Sequence, residues 1–187
     1  MVKIAEKTIT LEEFLKLPET KPASEYIEGQ ISQKPMPQVK HSRLQGELIT
    51  TINLLARNQS FAYAFPELRC TFGGRSLVPD VAVLRWERIP RDENNEIANV
   101  FANYPDWTIE ILSPDQSSIK VIKNILHCLN YGCCLGWLID PQEKSVLVYH
   151  QGKQTELLEQ DSDLLAVPDF LPDLRLTVGE MFGWLKL

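Results

Sequence analysis

Cysteine and histidine are scarce in this 187-residue chain, which has four cysteines and three histidines. No two cysteines are spaced as Cys-x-x-Cys, and the histidines are scattered, so the usual spacing of zinc ligands is missing. Cys133 and Cys134 begin an apolar stretch that runs to Ile139. This pattern favours reduced, mostly buried thiols over a disulfide or a reactive nucleophile.

Long apolar runs are also missing. None approaches the roughly 20 residues that cross a bilayer, and the first seven residues lack the apolar stretch of a secretory signal. We therefore expect a cytoplasmic protein with no membrane segment. Because 44% of the residues are hydrophobic, one domain with its own core is expected over residues 1–187. It would comprise an N-terminal helix and hairpin (1–35), a core (39–150) and a C-terminal extension (151–187).

The charge of the chain is acidic overall but unevenly distributed. The formal net charge of −6 disfavours a protein that coats nucleic acid without specificity. Residues 34–91, however, hold nine basic and four acidic residues. A solvated surface of mixed charge is the default interpretation of this segment, and a surface that faces phosphates is the alternative.

Hydrophobic spacing predicts two long helices. Apolar residues recur at helical intervals across residues 39–58, and a second helix is expected after the polar loop 115–118, ending near residue 131. A capping box at Thr10 and Glu13 predicts a short N-terminal helix, and residues 178–185 form an amphipathic pattern at the other end.

Short alternating or apolar stretches predict the strands. A hairpin turns at Glu28 and Gly29, and a charged, Asn-rich segment at 87–100 is expected to be a surface excursion. The predicted strands are 25–27, 30–32, 61–64, 67–72, 76–84, 107–112, 135–139, 145–149 and 174–176. This order of helices and strands predicts an α/β (α+β) fold, with a mixed sheet and one helix on each side.

Two carboxylates stand out within these strands. Asp80 lies in the predicted strand 76–84 and Glu110 in the strand 107–112, each among aliphatic residues. A carboxylate is disfavoured in a strand and costly to bury ionised, so each must either meet a cation or point into water. One such residue is most often solvent-exposed. Two on consecutive strands could share one Mg²⁺ or Mn²⁺, with the Ile111 carbonyl as a further ligand.

Two lysines follow these carboxylates in the chain. Lys120 and Lys123 lie on the helix that comes after Glu110. Two carboxylates, a divalent cation and an ammonium are suited to cutting a phosphodiester, because the cation activates water and screens the phosphate. The alternative is that both are ordinary solvated lysines on a surface helix.

The motifs around these residues resemble a known family. Three segments carry the resemblance: Val78-Pro-Asp-Val-Ala-Val83, Asp106-Trp-Thr-Ile-Glu-Ile-Leu-Ser-Pro114 and Gly136-Trp-Leu-Ile-Asp-Pro141. In order and spacing they are similar to the Uma family of endonucleases, within the PD-(D/E)XK nuclease superfamily. The resemblance implies a restriction endonuclease-like fold, a mixed β-sheet flanked by helices in αβββαβ order.

The resemblance also implies roles for individual residues. It makes Asp80 and Glu110 the metal ligands. The simplest superfamily pattern puts a lysine two residues after the glutamate, where this chain has Leu112, and the Uma pattern puts it on the next helix, where this chain has Asn124. Lys120 lies one helical turn before Asn124 on the same face, whereas Lys123 lies about 100° around the helix. Lys120 is therefore the preferred candidate.

Further side chains could supplement the site. Glu28, His41, Gln45 and Glu47 are the candidates, and His41 matches a recurrent position of the family. Two hypotheses follow. One is a Mg²⁺-dependent DNA endonuclease that acts as a homodimer on two strands. The other is a nuclease-fold binding or regulatory module that has kept the carboxylates and lost the lysine. Two adjacent carboxylates beside a lysine ammonium would favour the enzyme.

Overall fold

The computed structural model describes residues 8–114 and 116–186. Within this part of the chain there are four α-helices and one short 3-10 helix (Trp86–Arg88). The α-helices are α1 (Leu11–Leu15), α2 (Val39–Ala56), α3 (Ser118–Asn130) and α4 (Val178–Gly183). None of these helices is long and apolar enough to cross a membrane. The strands of the same residues are β1 (Ser24–Ile27), β2 (Gln30–Gln33), β3 (Ala62–Pro66), β4 (Cys70–Phe72), β5 (Arg75–Leu77), β6 (Val81–Arg85), β7 (Trp107–Ile111), β8 (Leu135–Asp140), β9 (Ser145–His150) and β10 (Glu156–Leu158).

The strands form two sheets. The larger has six strands in the order β10-β9-β8-β7-β6-β3, and the smaller has four in the order β2-β1-β5-β4. The larger sheet is mixed, because β7 and β8 are parallel while its other neighbouring strands are antiparallel. Parallel neighbours need a crossover connection, and α3 supplies it. Helix α2, strands β3, β6 and β7, helix α3 and strand β8 follow each other in the predicted αβββαβ order.

One helix covers each face of the larger sheet, as predicted. The apolar stripe of α2, including Leu44 and Leu48, packs against Ile109 and Trp137 on one face. Residues between 165 and 182 join the same cluster. On the other face, α3 contributes Ile125 to a second cluster that also contains Leu77 of the smaller sheet. The smaller sheet therefore packs on the side of α3.

Strand β7 is buried on both faces. Because side chains alternate along a strand, Trp107, Ile109 and Ile111 face α2, and Thr108 and Glu110 face the opposite side. Glu110 is thus directed to the side covered by α3 and the smaller sheet, away from water.

The expected strand 76–84 is wrong as a single strand. It consists of β5 in the smaller sheet and β6 in the larger one, and residues 78–80 cross between the two sheets. Pro79 lies in this crossing and has no N–H to donate to a ladder. Asp80 therefore sits at a break between sheets, immediately before β6, and not inside a strand.

Three smaller expectations also differ from the structure. Residues 174–176 are not a strand, although the Leu165 N–H donates to the Leu176 carbonyl. The strand expected over 67–72 is confined to β4, because Glu67 adopts a positive φ of 46°. Strand β10 was not predicted, since it is short, largely exposed and lies at a sheet edge. The N-terminal residues 1–7 lie outside the described part.

The cysteines match their expected character. All four are free, three are buried and Cys134 is half-buried. Burial raises the pKa of the Cys70, Cys128 and Cys133 thiols, so the thiolate that reacts with oxidants and electrophiles is disfavoured.

The packing of α3 on the larger sheet predicts the effect of one substitution. A Cβ at Gly136 of β8 would clash with Ile125 Cγ2 of α3. We expect Gly136→Ala to lower the free energy of unfolding by about 1–3 kcal/mol, as overpacking does, measured by urea denaturation. Gly46→Ala is the control, because a Cβ there meets nothing within 4 Å on α2 and should be neutral or stabilising. Equal effects of both substitutions would contradict this packing.

Candidate active site

Asp80 and Glu110 meet at one end of the β6–β7 pair. These strands are antiparallel, and Val81 pairs with Ile109. Asp80 and Glu110 are therefore the next residues along each chain from that pair. Both are buried, with exposed fractions of 2% and 4%. The sequence-based expectation that the two strands bring these carboxylates together is consistent with this register.

A lysine that was not predicted as a site residue lies between the two carboxylates. Lys34 Nζ is 2.6 Å from Asp80 Oδ1 and 3.3 Å from Glu110 Oε2. It also donates to the Val78 carbonyl oxygen at 2.8 Å, so its three donors have three acceptors. The Lys34 side chain is only 11% exposed. The sequence left two alternatives for each carboxylate, contact with a cation or exposure to water. In the structure both carboxylates contact a cation, the Lys34 ammonium.

The N-terminal hairpin positions Lys34. Strands β1 and β2 pair from Ser24 with Gln33 to Ile27 with Gln30. The Lys34 N–H donates to the Ala23 carbonyl, which extends the pairing by one residue. Strand β1 in turn pairs with β5, just before the crossing at residues 78–80. Lys34 thus follows β2 and Asp80 follows shortly after β5, and both of these strands pair with β1 in the smaller sheet.

Asp80 is held in place by contacts from three directions. Its Oδ2 accepts the Ile111 backbone N–H at 2.7 Å, and its carbonyl oxygen accepts Gln45 Nε2 at 2.8 Å. His41 Nε2 lies 3.4 Å from Asp80 Oδ1. Helix α2 and the end of β7 therefore fix the carboxylate before any ligand binds.

Glu25 is a third buried carboxylate beside this pair. It lies on β1, where Oε1 accepts the Val78 N–H at 3.0 Å and Oε2 accepts Asn124 Nδ2 at 3.2 Å. Asn124 Oδ1 is buried and has no hydrogen-bond partner among residues 8–114 and 116–186. Position 124, where the family resemblance expects a lysine, is therefore linked to the carboxylate cluster through Glu25.

The charges of the cluster determine its protonation. Burial alone would raise the pKa of Asp80, but Lys34 and His41 outweigh burial and lower that pKa to about 2. Burial raises the pKa of Glu110 to about 8, since Asp80 and Glu25 counteract the stabilisation by Lys34. Burial disfavours the charged form of Lys34, yet the surrounding carboxylates hold its pKa above the ordinary lysine range. The cluster therefore favours the charged forms of Asp80 and Lys34 and the neutral form of Glu110.

A cavity of about 330 Å³ opens onto the cluster, and its walls include Glu25, Lys34, Glu110, Lys120 and Asn124. A second cavity of about 590 Å³ shares Lys120 and Asn124 and adds Lys123. Both helix lysines are exposed. Lys120 therefore faces the space beside Glu110, whereas Lys123 faces the neighbouring cavity. A catalytic role for either lysine stays a prediction.

The expected supplementary residues divide into two groups. His41 and Gln45 contact Asp80. Glu28 lies in the hairpin turn and pairs with Arg75, and the half-buried Glu47 pairs with Arg43 one turn earlier on α2. Of these four side chains, His41 thus approaches the Asp80 carboxylate and Gln45 binds the backbone carbonyl of the same residue.

Ser113 has partners that sequence spacing did not indicate. In the sequence, no His and Asp pattern accompanies Ser113, so the sequence gives no indication of serine hydrolysis. In the fold, Ser113 Oγ lies 3.4 Å from His41 Nδ1, whose other ring nitrogen faces Asp80. Both distances are long for hydrogen bonds, and Asp80 Oδ1 already accepts Lys34 at 2.6 Å. The Ser113 hydroxyl is therefore linked to the carboxylate cluster through one long contact, to His41.

The donor set fits a small, hard divalent cation. Asp80 and Glu110 both contact one nitrogen atom, so an oxygen of each carboxylate faces the same point. The described part of the chain brings no third Asp, Glu, His or Cys into a shared metal-ligand group. Mg²⁺ commonly takes one or two carboxylates and keeps several waters. The Ile111 carbonyl as a further ligand stays a prediction.

The architecture is that of restriction endonuclease-like proteins. The structure matches a crystal structure of a putative nuclease belonging to DUF820 from Anabaena variabilis, with a TM-score of 0.93 and 59% sequence identity. The match covers 95% of this chain and 99% of that one. Residues 11–179 match Uma2, described as a putative restriction endonuclease. The chain belongs to the Uma2 family, which confirms the resemblance and the fold class. No curated protein matches it.

The opposite pKa shifts of the two carboxylates predict opposite effects on stability in metal-free protein. The folded state holds the Glu110 proton up to about pH 8, whereas the unfolded state releases it near 4.5. Glu110 therefore makes the protein less stable as pH rises through this window, by at most about 1.4 kcal/mol per pH unit. We expect Glu110→Gln to remove this slope and to stabilise the protein at about pH 8, measured by urea denaturation with chelator.

Asp80→Asn should act in the other direction. The pKa of Asp80 is lowered from 3.8 to about 2, so its contribution is fully present above pH 3.8 and is lost as pH falls towards 2. The substitution should lower the free energy of unfolding by roughly 1–3 kcal/mol at neutral pH, because a charged hydrogen-bonded partner is lost. Equal shifts of the same sign in both variants would contradict the assigned electrostatics.

Proposed function

We propose that this protein is a Mg²⁺-dependent endonuclease that hydrolyses phosphodiester bonds in DNA. The observation that carries the proposal is the convergence of Asp80 and Glu110 at the same end of β6 and β7, with both carboxylates on one lysine ammonium. Membership of the Uma2 family and the similarity to a putative nuclease support it.

In this proposal Asp80 and Glu110 hold the cation. A divalent cation bound there would polarise the scissile phosphate and make water more acidic. Asp80 is ready for this role, since the Ile111 N–H and the Lys34 ammonium both donate to its carboxylate and favour the ionised form. Glu110 must lose its proton first, so cation binding should strengthen as pH rises towards about 8.

The reaction is hydrolysis and consumes one water. The water oxygen forms a bond to phosphorus and gives up one proton to solvent, the bond from phosphorus to the leaving oxygen breaks, and that oxygen takes up one proton from solvent. The cavity of about 330 Å³ beside Glu110 gives a phosphate access to the cluster. Lys120 and Lys123 on the outer walls supply positive charge for the backbone of a nucleic acid. A homodimer would place two such sites on the two strands of a duplex.

A non-catalytic module with the same fold is the second candidate function. Asn124 favours it, because the family resemblance expects a lysine at that position. Such a protein would bind nucleic acid through the same cavities without cutting it.

Plasmid cleavage tests the proposal. The unmodified protein should nick supercoiled DNA with Mg²⁺ or Mn²⁺ and should not do so with chelator. Asp80→Asn and Glu110→Gln should each lower the rate by at least about a hundredfold, since each removes a ligand charge. Asp173→Ala is the matched control, an exposed carboxylate far along the chain from either ligand.

Folding of each variant is checked by circular dichroism. A folded unmodified protein that binds DNA but does not cut supercoiled, linear or branched substrates would favour the binding module. Cleavage that survives chelator and both ligand substitutions would contradict the proposed site.

A further inference from the structure

We propose that Lys34 is the catalytic lysine of this site and that it replaces the helix lysine expected at position 124. This inference rests on the proposed function, because it assigns a residue within that reaction. In this chain the ammonium comes from the N-terminal hairpin and lines the same cavity as position 124 of α3.

Contacts distinguish Lys34 from the other candidates. Its ammonium lies within hydrogen-bonding distance of both proposed cation ligands, Asp80 and Glu110. Lys120 and Lys123 are exposed on the cavity walls. The reacting phosphate must sit beside the two carboxylates if they hold the cation. Lys34 is therefore the lysine already placed at that point.

The Val78 carbonyl explains how Lys34 stays there when a cation binds. A cation would take the carboxylate oxygens that Lys34 now contacts, and the ammonium would have to give up those bonds. The bond to the Val78 carbonyl oxygen, at 2.8 Å, does not compete with the cation. The ammonium can thus stay on the Val78 carbonyl, two residues before Asp80 in the chain, and direct its freed N–H groups towards the phosphate.

Lys34 acts in this role as a positively charged hydrogen-bond donor. Its ammonium donates to three oxygen atoms, an arrangement that suits electrostatic stabilisation and not proton removal. The ammonium donates hydrogen bonds to a non-bridging phosphate oxygen as negative charge accumulates in the pentacovalent state. The attacking water passes its proton to solvent in the cavity, the leaving oxygen takes one from solvent, and Lys34 keeps its own.

Asn124 is consistent with this replacement. It lines the same cavity as Lys34 and Glu110, donates to Glu25, and leaves its own Oδ1 without a partner. A lysine at 124 would enter the same carboxylate cluster from the side of α3. One ammonium at either position could therefore serve the site.

The first experiment compares the kcat and KM of DNA cleavage in Lys34→Met, Lys34→Met/Asn124→Lys and Lys153→Met. Lys34→Met should lose about a hundredfold or more in kcat with little change in KM, because the lost interaction acts in the transition state. The double variant should recover at least about tenfold of that loss. Lys153 is exposed in the C-terminal extension, so its substitution should change neither constant.

The second experiment measures Mn²⁺ binding by calorimetry, which does not depend on turnover. Removing the ammonium removes a competitor for the ligand oxygens, so Lys34→Met should bind Mn²⁺ about tenfold more tightly than the unmodified protein. Bound cation also restores the charge balance and should keep this variant folded, as monitored by circular dichroism. Slower cleavage together with tighter cation binding is the signature of a catalytic ammonium.

Several outcomes would overturn the inference. The inference is wrong if the Lys34→Met variant cleaves DNA at a rate within about threefold of that of the unmodified protein. It is also wrong if this variant loses both cleavage and Mn²⁺ binding, because that result indicates a structural role. No recovery in a folded double variant would refute the replacement. A large loss in Lys120→Ala or Lys123→Ala with full activity in Lys34→Met would return the role to α3. Absence of cleavage by unmodified protein would reject the proposed function and this inference with it.

Discussion

A single ammonium shared by a buried group of carboxylates is the interaction on which the site depends. Lys34 contacts Asp80 and Glu110, and Glu25 lies beside them. Burying ionised groups is costly unless each is paired and hydrogen-bonded. Three carboxylates around one ammonium cannot all be neutralised by it, and burial raises the pKa of Glu110 beside the other two. A divalent cation would supply the positive charge that the cluster lacks.

The break between the two sheets makes this cluster possible. A continuous strand through residues 76–84 would have carried Asp80 into a ladder and closed the space beside it. Instead, the chain leaves the smaller sheet after Leu77, and the Val78 N–H and carbonyl are free to bind Glu25 and Lys34. The same short crossing therefore positions one proposed cation ligand and anchors the ammonium. Residues 78–80 therefore both connect the two sheets and form part of the proposed site.

Much of this could be predicted from local patterns. The spacing of apolar residues located α2 and α3, and carboxylates among aliphatic residues marked Asp80 and Glu110. Glu25 is also a carboxylate in a predicted strand, followed by Tyr26 and Ile27. The search for carboxylates within strands could therefore have identified it. Lys34 gives no such signal, because it follows a polar strand and contacts partners 46 and 76 residues away. Contacts at such separations depend on how the two sheets pack, which local sequence does not encode.

A crystal structure with Mn²⁺, located by its anomalous scattering, would show directly whether the two carboxylates hold a cation. We expect one ion within roughly 2.0–2.3 Å of an oxygen of Asp80 and an oxygen of Glu110. We also expect Lys34 Nζ to leave those oxygens and to keep its bond to the Val78 carbonyl. An ion bound elsewhere, with Lys34 still bridging both carboxylates, would refute this assignment of the cation ligands.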